Sequence, residues 1–135
     1  MSDFNEAIIE EFRANEGRVG GRFEDGTLLL LHSTGAKSGI PRVNPLAYVK
    51  DGDRYVIIAS KAGAPTNPDW YYNLLAQPEA SIEVGTEQFD VVAQAAEEPE
   101  RTQLYAKMEA KMPGFIEYKH KTSRVIPVVV LTPRP

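Results

Sequence analysis

The sequence predicts an α+β domain that is mainly β, with about six antiparallel strands in a closed or split barrel and about three short helices. Three observations predict it. The apolar stretches are short and β-branched or alternating, and most are joined by turns too brief for a parallel crossover. The helical patterns are few and do not alternate regularly with the strands, so a doubly wound sheet is disfavoured. No G-x-G-x-x-G follows a strand, which removes the usual dinucleotide fingerprint. The 135 residues suit one domain over 1–135, with residues 1–16 forming an N-terminal amphipathic helix.

The elements follow in order. Phe4, Ile8 and Phe12 recur every four residues, opposite Glu6, Glu10 and Arg13. This spacing predicts a helix over 3–14, ended by Gly17, Gly20 and Gly21. It packs its stripe on the core, or serves as a lid or a foot on a membrane surface; its acidic polar face argues against anionic lipid. Four leucines in succession, Leu28 to Leu31, read as a strand buried on both faces. Residues 42–50 alternate weakly and form the next strand, in which Pro45 marks an edge or bulge. Asp51-Gly52 signals a hairpin into 54–60, completing a three-stranded meander. Asn67 and Pro68 suit the cap and first position of a helix over 68–76. Two half-buried strands follow at 80–84 and 88–95, then a helix opened by Pro99 and ended by Pro113-Gly114. A looser segment, 115–124, precedes a final strand over 125–131.

Composition limits the function. A net charge of −4 gives no support for nucleic-acid binding. The absence of cysteine removes disulfides, thiolate metal sites and cysteine nucleophiles, and fits a reducing, cytoplasmic compartment. No apolar run reaches a membrane span, and the acidic N-terminus does not read as a signal peptide. His32 and His120 stand far apart without thiols, so no metal site is expected.

The most informative stretch is Ser33-Thr34-Gly35-Ala36-Lys37-Ser38-Gly39-Ile40-Pro41-Arg42. Glycines let backbone N–H groups form a concave nest, hydroxyls add donors, and Lys37 and Arg42 add charge. This is the chemistry of a phosphate cradle, or of a solvated hairpin loop. Gly35-Ala36-Lys37-Ser38 lacks the earlier glycine of a Walker motif. Ser60, Lys61, Trp70, Asn73 and Tyr118 add cationic and flat groups. Together they suit a planar cofactor with an anionic tail, which carries the reaction while the protein binds and orients it.

Ser33 to Leu46, the block Ala59-Ser60-Lys61-Ala62-Gly63, Asn67-Pro68-Asp69-Trp70-Tyr71-Tyr72-Asn73-Leu74 and the closing Arg124-Val125-Ile126-Pro127 resemble the deazaflavin-dependent nitroreductase family, which includes the F420H2-dependent quinone reductases. The resemblance implies a split β-barrel that holds coenzyme F420 in a cleft. It implies that Lys37, Ser38 and Arg42 contact the phosphate. Pro45, Leu46, Ser60, Lys61, Ala62 and Gly63 would lie along the deazaflavin and its polyol chain, with Trp70 and Asn73 shaping the pocket. The best-known nitroreductase of the family has three tyrosines before the last strand; here the matching residues are Met112, Phe115 and Tyr118. The implied activity is hydride transfer to a planar quinone-like or nitro acceptor, with Tyr118 catalytic and Phe12 or Phe4, Met112 and Phe115 lining the acceptor site. The alternatives are a non-catalytic F420 carrier and an FMN enzyme on the same barrel. Expected partners are a small planar acceptor and no nucleic acid. A peripheral membrane contact through the N-terminal helix, at the inner face of the membrane, is a further expectation.

Overall fold

The structure, a computed structural model, describes residues 3–15 and 28–134. In chain order the elements are α1 (Asp3–Ala14), β1 (Leu28–Thr34), β2 (Pro41–Ala47), β3 (Val49–Asp51), β4 (Arg54–Ile58), a 3-10 turn (Lys61–Gly63), α2 (Asp69–Ala76), β5 (Glu79–Val84), β6 (Glu87–Ala95), α3 (Glu100–Lys111), α4 (Gly114–Lys121) and β7 (Val128–Pro133). Gly17, Gly20 and Gly21 lie outside the described residues.

The strands form one seven-stranded antiparallel sheet in the order β2-β1-β5-β6-β7-β4-β3. Its two edge strands, β2 and β3, are separated in sequence by Tyr48 alone. Adjacent Cα atoms are about 3.8 Å apart, so the two edges of the sheet must meet. β2 also approaches β4, the strand next to the far edge. The sheet therefore curls into a split barrel.

Alternation sends successive side chains to opposite faces. Leu29 and Leu31 join Ile57, Ala59, Ile82, Val91, Val129 and Leu131 inside the barrel. Trp70 and Leu74 of α2 enter the same interior core. Leu28 and Leu30 face outward and are covered by Ile9 and Phe12 of α1. Val56, Ile58, Val128 and Val130 face outward on the other side, under Leu104, Tyr105 and Met108 of α3 and Phe115 of α4. The leucine run is thus buried on both faces because the barrel fills one side and a helix covers the other. α1 packs its stripe on the sheet, so Ile9 and Phe12 are unavailable to a membrane surface while it is docked. Among the described residues, no helix is long and apolar enough to cross a membrane.

Several expectations need correction. The stretch 42–50 is two strands, because the chain passes from one sheet edge to the other at Tyr48. The expected meander does not form: β4 pairs with β7, and β3 with β4. The segment 115–124 contains α4, and the final strand begins only at Val128. The β3–β4 hairpin turns on Gly52-Asp53, with Gly52 at φ 64°. Asn67 does not cap α2, whose N-cap is Pro68; its side chain is engaged elsewhere, as described below.

Candidate functional site

β1 and β2 are joined by the six residues 35–40. The Gly35 N–H donates to the Ile40 carbonyl (2.9 Å), and the Gly39 N–H donates to the Gly35 carbonyl (2.9 Å). Gly39 sits at φ 70°, where a side chain is disfavoured. A Cβ on Gly35 would come within 2.5 Å of Ser38 Oγ and 3.3 Å of the Ile40 carbonyl oxygen, so a side chain there would have to displace the Ser38 hydroxyl. Ser38 Oγ accepts from the Ile40 N–H (3.1 Å), which leaves its own proton available.

Asn73 fastens this loop to α2. It is buried, its Oδ1 accepts from the Ala36 N–H (2.9 Å), and its Nδ2 donates to Ser33 Oγ (3.5 Å). The result is a cleft of about 780 Å³ between the loop, β2 and α2, lined by Lys37, Ser38, Arg42, Asn44, Asp69, Trp70, Tyr72 and Asn73 among others. Its size falls in the usual range for small-molecule sites. Among the described residues, neither Lys37 nor Arg42 has an acidic partner. Elsewhere Arg13, Arg54, Arg101, Lys107, Lys119 and Arg134 are all ion-paired. Two exposed cations without an acidic partner among the described residues make this cleft locally cationic in a chain of net charge −4, with Asp69 the one carboxylate in its described lining.

Five of the expected site residues therefore meet in one cleft: Lys37, Ser38, Arg42, Trp70 and Asn73. Trp70 is 5% exposed, so most of its ring fills the barrel and little faces the cleft. Asn73 shapes the cleft by holding the loop. Pro45 and Leu46 lie on β2, opposite Leu30 and Leu29, and Leu46 packs on the barrel interior.

Ser60, Lys61 and Gly63 form a second cluster. Lys61 adopts φ 48° and Gly63 φ 83°; a positive φ at a non-glycine residue is a mark of local strain. A Cβ on Gly63 would meet Lys121 Cβ at 2.8 Å and the Tyr118 carbonyl oxygen at 3.2 Å. The turn thus rests directly on α4, which brings the expected cofactor segment beside Tyr118. Ala62 lies in the turn; its side chain is outside the described residues.

Tyr118 is half-buried. Its ring stands edge-on to Phe115 at 5.1 Å and 78°, and Lys121 Nζ lies 6.0 Å from its centroid. Phe115 is buried and edge-on to Tyr105 at 6.4 Å. The Tyr105 hydroxyl donates to the Phe115 carbonyl (2.7 Å), and burial, with Glu109 nearby, pushes its pKa up to about 12. Tyr105 therefore stays a neutral donor that locks α3 to α4. Met112 packs half-buried on this cluster. Phe12, 1% exposed, sits between α1 and the sheet; the Phe4 side chain is outside the described residues.

Arg124 is the residue whose role the sequence hid. Its guanidinium donates to the carbonyls of Ala64 (Nε, 3.0 Å), Ser60 (Nη2, 2.9 Å) and Ala59 (Nη2, 3.2 Å), and to Asn67 Oδ1 (Nη1, 2.6 Å). In the sequence it is one cation among three in its segment. Tyr72 and Asn67 were equally unmarked as site residues. A third missed group ties α1 down: Glu83 accepts from Arg13 Nη2 (2.7 Å) and lies 2.5 Å from His32 Nε2. Arg13 first, and His32 second, hold the Glu83 carboxyl below the ordinary carboxylate range.

Fold and cleft together define a split-barrel protein with a small-molecule-sized cleft, lined by two cations, beside the β2 edge of its sheet. A family model described as F420H(2)-dependent quinone reductase matches residues 6–133. The chain belongs to that family. It is 43% identical over 127 residues to the F420H(2)-dependent quinone reductase Rv1261c of Mycobacterium tuberculosis, covering 91% of this chain and 85% of the relative. It is 37% identical over 108 residues to a second protein of that organism, the putative F420H(2)-dependent quinone reductase Rv3178, covering 80% and 90%. Among solved structures it is similar to an F420-H2 dependent reductase, FDR-A, with TM-score 0.72 and 37% identity over 78% of this chain and 93% of that one. A protein solved as a domain-swapped dimer matches with TM-score 0.74 and 34% identity, over 93% and 92%.

Proposed function

We propose that this protein is an F420H2-dependent oxidoreductase that reduces a planar, quinone-like acceptor. The observation that carries the proposal is the pair Lys37, on a loop that Asn73 pins in place, and Arg42, at the start of β2, neither with an acidic partner among the described residues. The donor set fits the coenzyme: two cations, the Ser38 hydroxyl and a closed glycine-containing loop suit a phosphate. When bound, the reduced deazaflavin supplies a hydride to the acceptor.

The chain's own residues do the rest. Lys37, Ser38 and Arg42 hold the phosphate. Ser60, Lys61, Ala62 and Gly63, shaped by Arg124, with Pro45 and Leu46, would hold the ring and polyol chain. Trp70 and Asn73 keep the cleft's shape. Tyr118, beside the turn, is the hydroxyl available to orient the acceptor and to stabilise negative charge developing on it. Met112 and Phe115 give the acceptor wall an apolar character suited to a quinone. No side chain is assigned as proton donor to the product; solvent supplies that proton. Phe12 would reach an acceptor only if α1 undocked.

The test is a titration with oxidised coenzyme F420, followed through Trp70, the only tryptophan, and then a turnover assay with reduced coenzyme and menadione. Saturable binding and loss of reduced coenzyme above background are expected. Binding without turnover would make the protein a carrier. A yellow protein as purified that ignores the deazaflavin would make it an FMN enzyme.

A further inference from the structure

Asn67 joins Arg124 to the cleft. Arg124 is a donor only, so the oxygen of the Asn67 amide must face the guanidinium, at 2.6 Å. That fixes the other end of the amide: Nδ2 faces Tyr72 Oη, at 3.2 Å, and donates to it. A phenol oxygen that accepts here keeps its own proton for another partner. Tyr72 is 48% exposed and lines the same cleft as Lys37, Ser38 and Arg42. Its ring is supported edge-on by Tyr71 at 5.5 Å. No acceptor for its proton exists among the described residues.

We infer that Tyr72 is a further donor to the anion in the cleft, and that Asn67 and Arg124 are positioning residues that keep its hydroxyl turned outward as a donor. Arg124 also holds the carbonyls of Ala59, Ser60 and Ala64. One side chain therefore sets both the turn beside Tyr118 and, through Asn67, the donor at the phosphate end. The inference rests on the proposed coenzyme site and gives a role to a residue that stands in the family motif but was not among the expected site residues.

The experiment measures coenzyme F420 affinity by Trp70 fluorescence for wild type, Tyr72→Phe, Asn67→Asp and the double variant, with a thermal melt of each. It repeats the titration with the deazaflavin nucleoside that lacks the phosphate. Tyr72→Phe removes one hydrogen bond to a charged group and is expected to weaken the coenzyme about three- to tenfold. The nucleoside's affinity should not change, nor should the melting temperature. Asn67→Asp keeps the acceptor for Arg124 but replaces the donor with a second acceptor. The Tyr72 proton is then drawn to position 67, and affinity should fall at least as far. Because both changes remove the same contact, Asn67→Asp should cost several-fold less in the Tyr72→Phe background. Unchanged coenzyme affinity in Tyr72→Phe overturns the inference, as do equal losses for coenzyme and nucleoside, or additive effects in the double variant. Absence of coenzyme binding by wild type defeats the proposed function itself, and this inference with it.

Discussion

Lys37 and Arg42 gain their importance from what surrounds them. A solvated lysine on a loop contributes little, but a cation held beside a pinned backbone loses little freedom when an anion arrives. Lys37→Ala and Arg42→Ala are each expected to weaken coenzyme binding about tenfold, with the loss shrinking as salt is raised. Their melting temperatures should stay near wild type, because neither side chain has a hydrogen-bond or ion-pair partner to lose among the described residues. Fluorescence titrations at low and high salt check this. Tyr118 belongs to the other end. Tyr118→Phe should lower turnover with menadione more than it lowers coenzyme affinity; equal losses would assign its hydroxyl to the coenzyme. The cations and Ser38 were legible in the sequence because glycine, hydroxyl and charge occur together in ten residues. Arg124, Asn67 and Tyr72 stand in the blocks that carry the family resemblance, but their roles were not legible there. Arg124 reaches residues up to 65 positions away, and the orientation of the Asn67–Tyr72 pair depends on that distant guanidinium.

Short elements carry two further consequences. The Lys61–Gly63 turn rests on α4 without room for a methyl group at Gly63. Gly63→Ala forces a left-handed alanine against Lys121 and the Tyr118 carbonyl, and should destabilise the protein by about 1–3 kcal/mol. A urea melt reads the stability, and the coenzyme titration should worsen with it. At α1, the Glu83 carboxylate is stabilised by Arg13 and His32. Its folded pKa is depressed, so this contribution is complete above the ordinary carboxylate value and is lost as pH falls through the folded one. Glu83→Gln should cost about 0.5–1 kcal/mol at pH 7, small because Arg13 is half-exposed. The gap from wild type should narrow as pH falls below the ordinary carboxylate range. Urea melts at pH 7 and at successively lower pH test it. Element legibility followed signal strength. β5 and β6 alternate clearly and were read nearly to the residue, and α1 matched its expected bounds. α4 was obscured because it is eight residues long and opens at Pro113-Gly114, a pair that ordinarily ends helices.

At the scale of the molecule, stability is concentrated in the barrel interior, to which strands from every part of the chain contribute. Leu31 is fully buried there, beside α2. Leu31→Ala should cost about 2–5 kcal/mol, lowering the melting temperature by about 10 °C or more, and calorimetry would show one shifted transition rather than a local one. The class of fold was legible from short, turn-linked apolar stretches. The route of the chain was not, since alternation says which face a residue takes but not which strand lies beside it.

The joint at Tyr48 has a consequence for how one molecule meets another. An open sheet offers neighbouring chains two rows of unpaired N–H and C=O groups, each a template for edge-to-edge aggregation. Here the two rows belong to strands one residue apart, and curling has turned them toward a shared seam. Pro45, on one side of that seam, has no N–H to offer. A stray strand would have to wedge into that seam rather than settle along a free border. Resistance to fibrous self-association is thus built into the same single-residue link that gives the barrel its shape.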